Sequence, residues 1–129
     1  MTIIIGSIIF SALMIMITRL PVTLAMAKSE GGYNNKCPRD QQAQLDGFGR
    51  RAVGAHINSL EAFPLFACGV ILALIFEAPI NMVENLSLAF VAARCVYTFA
   101  FWMNIDLLRS SAWTVGFVSS LWLMWLALP

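Results

Sequence analysis

The chain has 129 residues, of which 60% are hydrophobic and only 12% charged, with a formal net charge of +1. Soluble domains are roughly 45–50% apolar and about 25% charged, so an ordinary water-soluble domain is excluded and a single integral membrane domain over residues 1–129 is expected. No basic run interleaved with aromatics suits a nucleic acid. The three cysteines, Cys37, Cys68 and Cys95, share no metal or redox spacing, and a single histidine cannot build a histidine metal cluster, so no metal is expected.

Four apolar runs can each supply the ~20 helical residues that cross a bilayer. The first covers residues 3–27. It has no positive segment ahead of it and no clear cleavage site, so it reads as a retained span rather than a secretory signal. Pro21 sits near its far end and should kink it close to Arg19. Residues 28–50 form the one long polar connection, rich in the turn formers Gly31, Gly32, Asn34, Asn35 and Pro38, with a short helix expected near 41–47. The second span covers 51–76 and contains Pro64. The third covers 86–104 and the fourth 110–128, giving an all-α, up-down-up-down four-helix bundle. Trp102, Trp113, Trp122 and Trp125 fall near span ends, where indoles favour the membrane interface.

Charge asymmetry orients the bundle. Lys28, Lys36, Arg39, Arg50 and Arg51 sit in or beside the first connection and Arg109 in the third, whereas the second connection has only Glu77 and Glu84. The positive-inside rule puts the basic connections in the cytoplasm and both termini outside.

The polar residues inside the spans carry the functional signal. Arg51, Asn58 and Glu61 stand at i, i+7 and i+10, one helix stripe about 80° wide. A charged group facing lipid costs ~2.5–3.5 kcal/mol on insertion scales, so this stripe should face protein or a cavity. In the third span Arg94 and Tyr97 are i, i+3 neighbours and Phe101 extends their line. With Arg109 and Arg39 near the same edge, these residues outline a pocket for an anionic, peptide-like ligand: arginine grips carboxylates, Asn58 bonds an amide, Glu61 pairs with an ammonium, and a nearby arginine favours a thiolate. The structural alternative is a polar network, with a buried Arg94–Glu61 pair, that only locks helix packing. His56 lies about 140° from Arg51 on the wheel and reads as a packing or lipid-interface residue.

The stretch RRAVGAHINSLEAFPLF (50–66) resembles the second-helix motif of the MAPEG superfamily, the membrane-associated proteins of eicosanoid and glutathione metabolism. ARCVYTFAF (93–101) and LRSSAW (108–113) resemble it too, and YNNKCPRDQQAQLDGFGRRA (33–52) is similar to its bacterial branch. The resemblance implies a homotrimer with glutathione as cosubstrate, bound between subunits by Arg51, Asn58, Glu61, Arg94 and Tyr97, and a further arginine, Arg109 or Arg39, at the thiol. It implies transferase or peroxidase chemistry on lipophilic electrophiles. This chain departs from the glutathione-using pattern at Gly54, Ala62 and Phe101, where that pattern often has Arg, Tyr and Tyr. The alternative expectation is a non-catalytic subunit packing against a larger membrane complex.

Overall fold

A computed structural model describes residues 1–128. Its helices are α1 (Thr2–Lys28), α2 (Pro38–Gln44), α3 (Gly47–Ile75), α4 (Ile80–Trp102) and α5 (Asp106–Trp125), and no strand occurs among the described residues. Three of them, α1, α3 and α4, are long and apolar enough to cross a membrane. α5, the fourth expected span, falls short: its 20 residues include four serines and Thr114, which dilute the apolar run. The four long helices lie side by side, α3 touching α1, α4 and α5, and α1 also touching α4.

Neither internal proline breaks its helix. α1 continues through Pro21, and the Thr23 hydroxyl donates to the Arg19 carbonyl (3.2 Å) just beside it. α3 likewise runs through Pro64. The second connection is shorter than expected, because α4 starts at Ile80 rather than near 86. Pro79 sets that start as its N-cap. The polar residues Asn81 and Asn85 stay exposed at this helix end, and Glu84 pairs with the terminal ammonium of Met1. Both tight connections close the same way. Glu77 (φ 53°) and Asn104 (φ 61°) take left-handed backbone, and the amides of Ala78 and Ile105 reach back to the carbonyls of Ala73 (2.8 Å) and Ala100 (2.9 Å).

The long connection is tied down by one side chain. Gln41 Nε2 donates to the carbonyls of Met26 (3.2 Å) and Gly32 (2.7 Å) and to Ser29 Oγ (2.8 Å), satisfying carbonyls at and beyond the end of α1. The short helix sits at 38–44, slightly earlier than expected, because Pro38 occupies its first position.

Two apolar cores are separated by a polar layer. One, around Phe66, Val70, Val83, Phe90, Ile4 and Leu123, is centred on stacked Phe66 and Phe90 rings with centroids 4.0 Å apart. The other, Val22, Met26 and Ala52, lies near the basic end. Between them are the buried polar residues Ser11, Thr18, His56, Ser59, Arg94 and Thr98. His56 is therefore buried within the helix packing rather than at a lipid interface; its Nδ1 meets Thr18 Oγ1 at 3.2 Å. Thr18 directs its own proton to the Met14 carbonyl (2.8 Å), so His56 Nδ1 is the donor in that contact. Cys68 and Cys95 are exposed.

Close approach of α3 and α5 depends on Gly69. A Cβ there would lie 2.8 Å from the Ser120 carbonyl oxygen, a backbone atom that cannot swing away. Gly69→Ala is expected to lower stability by about 1–3 kcal/mol in a detergent melt. Glu77→Gly is expected to do the reverse, raising it by roughly 0.5–1 kcal/mol, since glycine takes the left-handed conformation at no steric cost.

Candidate functional site

The predicted residues divide into two groups at different depths. Asn58 and Glu61 on α3 and Arg94 on α4 line one cavity of about 150 Å³, closed on its third side by Trp113, Gly116 and Phe117 of α5. Helical spacing explains the set: Asn58 and Glu61 are one turn apart, and Asn58 Nδ2 donates to Glu61 Oε2 (3.2 Å). Gly116 faces Arg94, whose Cδ would lie at ordinary contact distance, 3.7 Å, from an added Cβ.

Arg94 is the chemically decisive member. It is only 5% exposed, and its Nη2 is buried with no hydrogen-bond partner, as is Oδ1 of Asn58. The expected Arg94–Glu61 ion pair does not form: among the described residues the one ion pair is Met1 with Glu84, and Glu61 stays exposed on the cavity rim. The guanidinium instead rests on the Tyr97 ring, 4.3 Å from its centroid. A cation–π contact contributes about 0.5–2 kcal/mol, well short of what full desolvation of a charge removes. The cavity thus presents an unmatched cation, an unmatched amide oxygen and a carboxylate. These complement a ligand carrying an anionic group beside an amide or ammonium.

The second group lies towards the basic end. Arg51 does not line the cavity; its Nε donates to the Trp102 carbonyl (3.2 Å), tying the start of α3 to the end of α4. Arg109, at the start of α5, lies 4.7 Å above the Phe101 ring, and Phe101 meets Tyr97 edge-on with centroids 5.6 Å apart. Arg94, Tyr97, Phe101 and Arg109 thereby form a continuous ladder from the cavity to the helix ends. Phe101 is seated on Gly54, where a Cβ would stand 2.5 Å from Cζ of the ring. Two of the departures noted in the sequence are therefore one feature: the ring occupies the space a side chain at 54 would need. Arg39 belongs to neither group. It is exposed on α2, with Nη1 donating to Gln42 Oε1 (3.2 Å).

Sequence spacing did not reveal the α5 wall. Trp113, expected at an interface, also lines the cavity and stacks on Phe117 with centroids 4.9 Å apart. The one available signal was Gly116, set between Val115 and Phe117. A larger groove of about 630 Å³ over residues 30–44 lies among exposed loop residues, and none of the buried unpartnered groups is in it.

Because Arg94 is charged, buried and unpaired, Arg94→Met is expected to keep or raise the melting temperature, as when buried ion networks are replaced by apolar residues of similar volume. A drop of several degrees would instead show that an anionic group of the protein itself compensates Arg94.

The sequence model of the MAPEG family matches residues 3–129 of this chain. No curated protein and no solved structure matches it.

Proposed function

The chain belongs to the MAPEG family, and from that premise we propose that it is an integral membrane protein whose Asn58–Glu61–Arg94 cavity binds glutathione or a similar anionic thiol peptide. The observation that carries this reading is Arg94, buried without an anionic partner beside an unpartnered Asn58 oxygen. A ligand carboxylate would compensate the guanidinium, and a ligand ammonium or amide would satisfy Glu61 and Asn58.

At about 150 Å³ the cavity is smaller than the ~300–1,000 Å³ of a site that encloses a ligand. One chain therefore supplies part of the site. A neighbouring copy in a homotrimer of four-span bundles supplies the rest, against the exposed rim of Glu61, Trp113 and Phe117. The basic connections face the cytoplasm of a bacterial inner membrane and both termini lie outside. Arg109, held on Phe101, is better placed than Arg39 to favour a thiolate at the basic end of the ladder. The chemistry that follows is attack of that sulfur on a lipophilic electrophile, or reduction of a lipid hydroperoxide, at the membrane boundary.

Calorimetry on the detergent-purified protein tests the binding step. Glutathione is expected to release or absorb heat with saturation, and affinity to fall at least tenfold in Arg94→Met, the loss of one charged hydrogen-bonded contact worth ~1.5–3 kcal/mol. An absence of heat in the unaltered protein would remove the ligand assignment.

A second reading is a non-catalytic subunit of a larger membrane complex. It is favoured by the Phe101 ring filling the space over Gly54, which leaves an apolar surface where glutathione-using relatives often carry arginine. Co-purification with a stoichiometric partner, with no glutathione heat, is the outcome it expects.

A further inference from the structure

Arg94 borders a second, smaller cavity of about 10 Å³, between α1, α3 and α4 and lined by Ser11, Met14, Ser59, Ala62, Phe63 and Phe90. We propose that this cavity is a water site: one water is bound there as a fixed part of the fold, accepting a hydrogen bond from the Arg94 guanidinium and donating to Ser11 and Ser59.

The size fits. A cavity needs about 10–15 Å³, roughly one probe sphere, to hold a water molecule, and the water needs two to four polar partners. The hydrogen-bond inventory fits as well. Ser11 Oγ donates to the Ser7 carbonyl (2.7 Å) and Ser59 Oγ to the Ala55 carbonyl (3.0 Å). Both hydroxyl protons are therefore committed to their own helices, and each oxygen keeps lone pairs that can only accept. Arg94 can only donate. Arg94 Nη2 bonds to neither serine, but a water, with two protons and two lone pairs, can accept from it and donate to both. Ser11 and Ser59 are both buried.

The consequence is mechanical. The water would link α1, α3 and α4 at the polar layer and hold the guanidinium from behind, so that its remaining N–H groups face the larger cavity. Arg94 would then be oriented before any ligand arrives. This claim does not depend on the identity of that ligand.

Two measurements on the full chain decide it. Crystals grown from a lipid phase, diffracting well enough to order waters elsewhere in the chain, are expected to show one peak within hydrogen-bond distance of the Arg94 guanidinium, Ser11 Oγ and Ser59 Oγ. A map with ordered waters elsewhere and none in this cavity would overturn the proposal. In protein labelled with ¹⁵N-arginine, water-selective cross-relaxation is expected to identify a long-lived water at the Arg94 guanidinium. That signal should vanish in Ser11→Ala/Ser59→Ala, which removes both acceptors, and in Ser59→Val, which fills the space. A signal that persists in both variants, or is absent from the unaltered protein, would equally overturn it. No glutathione is present in either experiment, so the result stands apart from the proposed ligand.

Discussion

A guanidinium that cannot leave the interior of a membrane helix constrains everything around it. Arg94 sits eight residues before the end of α4, about 12 Å from that end at 1.5 Å per residue. It is too far in to reach the headgroups easily. Helices on either side must shelter it, and α3 and α5 do so with Asn58, Glu61, Trp113 and Phe117. The α3–α5 packing beside it depends on Gly69, which lets the helices come close at the Ser120 carbonyl.

The same constraint organises the core in layers. Phe66 and Phe90 close the apolar core on one side of Arg94, and Val22, Met26 and Ala52 form the other beyond it. The serine, threonine and histidine side chains between them mostly bond to carbonyls of their own helices. Such bonds satisfy the hydroxyl proton without joining helices; the His56–Thr18 contact ties α3 to α1, while Arg94 lies among the helices with Nη2 unpartnered. Towards the basic end, the Tyr97–Phe101–Arg109 ladder and the Arg51–Trp102 bond carry that order to the helix ends.

Much of this was legible in the residues themselves. The long apolar runs gave the helices, and the i, i+3 spacings gave the Asn58–Glu61 and Arg94–Tyr97 pairs. The 50–66 motif gave the family. What spacing could not give was depth and partnership. Arg51 shares a stripe with Asn58 and Glu61, but seven residues separate it from Asn58, about 10 Å along the helix. That distance takes it out of the cavity and onto the Trp102 carbonyl. Trp113 is an interfacial residue by type and a wall residue by position, because only tertiary packing decides which helix faces Arg94. The missing Arg94–Glu61 pair has the same origin: both lie at one level, but Glu61 turns to Asn58 and the rim.

The central claim is that Arg94 awaits an anion. Its most direct test is a dipolar distance measurement in lipid between ¹⁵N-labelled guanidinium nitrogens and glutathione carrying ¹³C-labelled carboxylates. The account predicts dephasing at Arg94 that corresponds to about 4 Å, as in a charge-assisted arginine–carboxylate contact. Glutathione bound to the protein with no such dephasing at Arg94 would contradict it.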